Sequence, residues 1–298
     1  MQLIYGSESF PARRTKAVSP ASITVLFSNF CSVSPLAASI NFRNFGATSN
    51  YPVPARDGML FAAFAFIRVT MKENSLSLVY LVREPRESLP AALPPPLLIL
   101  LHGIGSNEHD LLGLAPYLDK RFLIVSVRAP IVMGQAAYGW FNIEFTPQGI
   151  RADVGQAERS LKVLSGFVDE LIEAYPVNGR CVYLMGFSQG AMMSLSLTLA
   201  QPEKVAGLVA MSGRFPAQQI PEPTGDRQAL ENLPILITHG IYDPVLPIEH
   251  GREIRRALAS LPVQLTYREY PMGHEVSLES LRDVSAWLTE KLDARCAV

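Results

Sequence analysis

Beyond residue 75, short unbroken apolar runs alternate with longer stretches whose apolar positions recur every three or four residues. LLILL (97–101) follows the triplet Pro94-Pro95-Pro96 and has no polar position, the pattern of a strand covered on both faces. RFLIVSVRAP (121–130), CVYLMG (181–186), KVAGLVAMSG (204–213) and PILITHG (234–240) repeat it, and SLSLVYLVRE (75–84) and QLTYREY (264–270) read as further extended segments. Between them, residues 152–175 place Leu161, Leu164, Val168, Leu171 and Ile172 on one helical face. Residues 190–200 are apolar or small on every side and free of proline, which predicts a buried helix. A helix with its basic residues on the polar side is expected over 248–261, and a closing helix over 277–292. Continuous apolar strands alternating with helices predict an α/β fold, a mostly parallel sheet with helices on both faces. In such sheets, sites form in the loops beyond the carboxyl ends of the strands.

The pattern fails over the first 70 residues. That stretch holds two acids, Glu8 and Asp57, against six lysines and arginines, is rich in serine and lacks a long periodic segment. An organelle transit peptide, a disordered extension, and a start placed ahead of a true one at Met59 or Met71 all fit it. The reading is therefore an N-terminal extension over 1–70 and one domain over 71–298. The 298 residues are 48% hydrophobic with a formal net charge of −1. No run of lysine and arginine is dense enough to follow a phosphate backbone, so nucleic acid is not expected as a partner. No apolar stretch approaches the ~18 residues of a membrane span, so no stable membrane insertion is expected. Cys31, Cys181 and Cys296 are widely separated, with neither metal-ligand spacing nor a disulfide framework. Cys181 reads as a buried thiol, and a cytoplasmic location is expected, with organelle import through residues 1–70 as the alternative. Oligomeric state is not legible.

Candidate chemistry gathers where strands end. Gly186-Phe187-Ser188-Gln189-Gly190 lies between an apolar strand and a buried helix. Glycines two positions either side of a serine relieve crowding where strand turns sharply into helix, leaving the hydroxyl exposed on a strained turn: a nucleophile elbow. A serine hydroxyl needs a base within hydrogen-bond reach, and that base needs an orienting acid. Among the five histidines, His274 alone combines a loop after the last strand with a neighbouring glycine. His102 reads as a loop-ordering residue, His239 as structural, His250 as solvated, and His109 as a loop residue near the mouth. Asp243, in HGIYDPVLP (239–247), follows the preceding strand. Asp226 competes for the role but precedes that strand. The order Ser188, Asp243, His274, at intervals of 55 and 31 residues, is the α/β-hydrolase order. An oxyanion needs preorganised N–H donors, each contributing about 3–4 kcal/mol. The backbone N–H groups of Gln189 and of Ile104, in the glycine-containing loop 101–111, are the candidates.

LHGIGSNEHDL (101–111), YGWFN (138–142), GFSQGAMM (186–193), HGIYDPVLP (239–247) and MGHEV (272–276) together resemble the phospholipase/carboxylesterase family, over about residues 75–292. The resemblance implies an α/β-hydrolase fold, no cofactor, and cleavage of carboxylic esters, sometimes thioesters or lysophospholipids; the leading expectation is a metal-independent serine hydrolase acting on small-molecule esters of short to medium acyl chains. Carried over, Ser188, Asp243 and His274 form the triad and Ile104 and Gln189 the oxyanion hole, while Trp140 and Phe141 fall where the family has an acyl-contacting loop. Asn142 departs from the family, many of whose members have Asp there, so an altered acyl groove is expected. The competing readings are a dienelactone-hydrolase-like lactonase, disfavoured by serine at the elbow, and a non-catalytic binder that keeps the fold as a ligand pocket.

Overall fold

The computed structural model describes residues 76–87, 93–146, 149–215 and 225–296. The extension expected over 1–70, and its boundary at 71, lie outside these residues. The strands are β1 (Tyr80–Arg83), β2 (Leu97–Leu101), β3 (Leu123–Val127), β4 (Ile131–Gly134), β5 (Ala137–Gly139), β6 (Ile143–Thr146), β7 (Gly149–Ala152), β8 (Val182–Phe187), β9 (Gly207–Met211), β10 (Pro234–Gly240) and β11 (Gln264–Tyr270). The helices are α1 (Val154–Ala174), α2 (Gln189–Ala200), α3 (Ile248–Leu258) and α4 (Leu278–Cys296). Seven strands form one sheet in the order β1-β3-β2-β8-β9-β10-β11. Among the described residues of this sheet only β1 runs antiparallel to its neighbour. This is the mostly parallel sheet that the strand–helix alternation predicts.

The two faces follow directly from alternation within the apolar runs. Leu97, Ile99 and Leu101 of β2 join a core with residues of α1, α2 and α3, whereas Leu98 and Leu100 point to the other face, into a core with α4 and a 3₁₀ segment at Leu111–Tyr117. Because both sides are covered, β2, β3, β9 and β10 are buried at every position. α2 is likewise buried at all twelve positions, which is why its sequence lacks a polar face. α1 starts where Asp153 accepts a hydrogen bond from the Gln156 N–H at 2.9 Å. It ends at Tyr175, ahead of Pro176. Its inward face, Leu164, Phe167, Val168 and Leu171, is fully buried, and the Phe167 ring meets Tyr80 of β1 edge-on at 5.4 Å.

Three features differ from the sequence reading. The 131–152 stretch folds into two short antiparallel hairpins, β4–β5 and β6–β7, apart from the main sheet. Strands of three or four residues are too short to carry a readable alternation. α4 runs beyond the predicted 292 to Cys296. Cys181 is disulfide-bonded rather than a free buried thiol. Pairing depends on which elements the fold brings together, which spacing along the chain does not encode. Cysteine usage therefore no longer argues for a reducing compartment. Among the described residues no helix is long and apolar enough to cross a membrane.

Phe167→Ala should lower the unfolding free energy by about 3–5 kcal/mol. The check is the urea midpoint, which should fall at constant slope.

Candidate active site

The strand-to-helix turn is dictated by backbone crowding. β2 and β8 pair in register up to Leu101 beside Gly186, so the chain leaving β2 passes directly over the turn. A Cβ on Gly190 would fall inside the Leu101 carbonyl, with the His102 carbonyl only 2.7 Å away, and one on Gly186 would collide with the Gly190 carbonyl. Neither collision can be relieved by a side-chain rotation. Between these glycines Ser188 adopts φ 54°, ψ −116°, a conformation costly for a residue with a Cβ. The turn is held by the Ser188 N–H donating to Met211 of β9 at 2.9 Å.

The loops after β10 and β11 meet this turn. His274 Nδ1 lies 2.7 Å from Asp243 Oδ2, and its Nε2 lies 2.9 Å from Ser188 Oγ. A carboxylate can only accept, so Nδ1 carries a proton and, in the neutral tautomer, Nε2 is the atom left to accept from the hydroxyl. Asp243 Oδ1 accepts the N–H groups of Val245 and Leu246 at 2.9 and 2.8 Å. Burial would raise the Asp243 carboxyl, but the His274 hydrogen bond and the Leu246 and Val245 N–H groups outweigh it and hold the group below the usual range. The Phe187 ring packs against the imidazole at 4.9 Å.

The other candidates separate into those beside Ser188 and those that support it. Loop 101–111 runs alongside the turn: a Cβ on Gly103 would lie 3.3 Å from Ser188 Cβ. Among the described residues no group accepts the N–H of Ile104 or of Gln189, leaving both donors open. His102 is fully buried; its Nδ1 bonds the Gly103 carbonyl at 2.7 Å and its Nε2 accepts the Ala129 N–H at 3.0 Å. His239 is also fully buried and holds the Leu246 carbonyl through Nε2 at 2.8 Å, below the Asp243 loop. Asp226 caps a 3₁₀ turn ahead of β10, accepting the Gln228 N–H at 2.9 Å. His109 is exposed beside Glu108, and His250 bonds Glu253 on α3.

Trp140 and Phe141 do not line an open groove. Both residues are 0% exposed in this structure. Their main chain is captured instead: the Trp140 N–H donates to Gln189 Oε1 at 2.7 Å, and Gln189 Nε2 donates to the Phe141 carbonyl at 2.6 Å. Several supporting residues carried no sequence signal. Glu108 is buried and forms a two-point ion pair with Arg128, whose guanidinium stacks on Tyr138 at 4.5 Å. Tyr138 in turn joins loop 101–111 by main-chain hydrogen bonds, Gly105 N–H to Tyr138 O and Tyr138 N–H to Ser106 O, each 2.8 Å. Only the motif Gly103-Ile104-Gly105, a loop shaped for close backbone approach, hinted that this segment needed bracing.

The sheet, the elbow and the loops converging on its carboxyl edge define a member of the α/β-hydrolase class. The profile of the phospholipase/carboxylesterase family matches residues 89–292, and the chain belongs to that family. It is 27% identical to acyl-protein thioesterase 1 of Kluyveromyces lactis over 66% of this chain and 92% of that protein. It is 28% identical to a probable SOBER1-like carboxylesterase of Arabidopsis thaliana over 66% and 79%. The solved carboxylesterase of Bacillus cereus superposes with a TM-score of 0.61 at 22% identity, over 72% of this chain and 94% of that one, a likeness of fold. The protein is an enzyme, a hydrolase of the carboxylesterase and thioesterase kind.

Two predictions follow from the crowding and the buried rings. Gly190→Ala should cost about 3 kcal/mol or more in unfolding free energy, read from denaturant titration. Burial holds His102 and His239 below the ordinary imidazole value of 6.5. The unfolded chain then binds more protons, so this stability is present above 6.5 and is lost as pH falls from there toward the folded values. The melting temperature should therefore drop steadily from about pH 6.5 to about pH 5, before the carboxylates titrate. A profile flat over that window would contradict the assignment.

Proposed function

We propose that the protein is a serine hydrolase that cleaves carboxylic esters of short to medium acyl chains through an acyl-enzyme. Ser188 Oγ attacks the acyl carbon while its proton passes to His274 Nε2. Asp243 holds the Nδ1–H tautomer and stabilises the imidazolium that forms. The negative charge on the acyl oxygen falls to the N–H groups of Ile104 and Gln189. The C–O bond then breaks, the leaving alkoxide takes the proton from His274, and the acyl group stays on Ser188. Water attacks that ester with His274 as base, releasing the acid and restoring the hydroxyl. Thioesters fit the same sequence with a thiolate leaving group, and the similarity to an acyl-protein thioesterase supports including them.

The observation that carries this reading is the continuous chain of two short hydrogen bonds, hydroxyl to imidazole at 2.9 Å and imidazole to carboxylate at 2.7 Å. A protein that only binds ligands has no need for a strained serine aimed at an oriented imidazole. On the loop that carries Asp243, the apolar side chains of Ile241, Tyr242 and Val245 are exposed.

The test is covalent labelling. An alkyl fluorophosphonate should mark the wild-type protein at one residue, and Ser188→Ala should abolish both labelling and p-nitrophenyl ester turnover, lowering kcat by about 10⁴-fold or more. Undiminished turnover in Ser188→Ala would refute the mechanism.

A further inference from the structure

We propose that Trp140 is a positioning residue that sets the separation between the two oxyanion donors, and that the Gln189 side chain is its clamp. This inference rests on the reading that Ile104 and Gln189 supply those donors.

The two donors come from different parts of the fold. Gln189 opens α2, after β8, whereas Ile104 lies in the loop after β2. The two strands pair only as far as Leu101 and Gly186, so beyond that point the spacing of the two peptide groups depends on what else spans them. Trp140 does this with three polar groups. Its Nε1–H donates to the His102 carbonyl at 3.0 Å, on the Ile104 side. Its main-chain N–H donates to Gln189 Oε1 at 2.7 Å, on the other side. Its carbonyl accepts the Ser160 hydroxyl of α1 at 2.5 Å, which anchors its main chain.

Each contact is backed by another. Gln189 Nε2 donates to the Phe141 carbonyl at 2.6 Å, so both ends of the amide are committed to the Trp140–Phe141 segment. His102, whose carbonyl receives the indole, is fixed at both ring nitrogens, and its Nδ1 bonds the Gly103 carbonyl, on the peptide unit that carries the Ile104 N–H. All of these groups are buried, so water cannot replace a lost partner, and a free indole or amide would leave an unsatisfied carbonyl. Ordinary core packing would need the volume of Trp140 but not its N–H. A spacer needs the N–H, because the bond to the His102 carbonyl carries the length of the bridge.

Trp140→Phe separates the two, since it keeps most of the volume and removes the donor. The readouts are kcat and KM for a p-nitrophenyl ester and the inhibition constant of an alkyl boronic acid, whose tetrahedral adduct mimics the charged intermediate. We expect kcat to fall about tenfold, KM to change less than about twofold, and boronate affinity to fall by the same factor as kcat. Gln189→Leu, which keeps the backbone N–H, should give a similar loss. The double variant should lose about tenfold rather than the about hundredfold of independent effects. Wild-type kcat and boronate affinity in Trp140→Phe, or additive losses in the double variant, would overturn the inference. Ser160→Ala removes only one support and serves where Trp140→Phe does not fold: its kcat and boronate affinity should fall together by about threefold, and unchanged values would count against the bridge. If fluorophosphonate labelling survived in Ser188→Ala, the underlying mechanism would fail instead, and the two failures stay distinguishable.

Discussion

The structure turns on one steric constraint, the contact between the backbone leaving β2 and the backbone turning from β8 into α2. With Gly186 and Gly190 in place, three carbonyls and the helix start pack closer than any Cβ allows. This contact forces Ser188 into its unusual conformation and lifts its hydroxyl off the sheet. It also brings loop 101–111 alongside the serine. A looser turn would leave the same residues present but not convergent, and catalysis by positioning falls steeply with displacements of about 1 Å.

Charge around this turn is sparse and deliberately confined. The buried rings His102 and His239 are kept neutral by burial, and each acts as a fixed hydrogen-bonding strut for a loop. Asp243 is the charged group held inside that scaffold, and it is tied at both oxygens. A buried carboxylate so constrained stabilises positive charge on the neighbouring ring with little reorganisation, because its surroundings are already oriented. The buried Glu108–Arg128 pair works differently: both charges are compensated locally, and its role is to lock the β4–β5 hairpin against loop 101–111.

The small hairpins inserted between β3 and α1 therefore serve the site without belonging to the sheet. β4–β5 joins loop 101–111 through a main-chain bridge between Ser106 and Tyr138, and the segment that follows is gripped by Gln189. The aromatic pair at 140–141 is buried, with its polar groups hydrogen-bonded to His102, Gln189 and Ser160. Apolar exposure appears instead on the Asp243 loop, at Ile241, Tyr242 and Val245.

Much of this was written in the order of residues. Unbroken apolar runs specified strands buried on both faces, and β10 and β11 coincide with the segments predicted from pattern alone, because strand burial depends on local composition. The glycine spacing around Ser188 and the chain order of Ser188, Asp243 and His274 were also legible, since steric need at a tight turn and topology act along the chain. What the sequence could not decide was every relation across it. That Trp140 turns inward, that Gln189 spends its side chain on a distant main-chain segment, and that Cys181 is cross-linked depend on which groups meet after folding. Hydrogen bonds and packing act over a few ångströms in space, and residues 38 or 49 positions apart in the chain reach that range only once the sheet has brought their strands together.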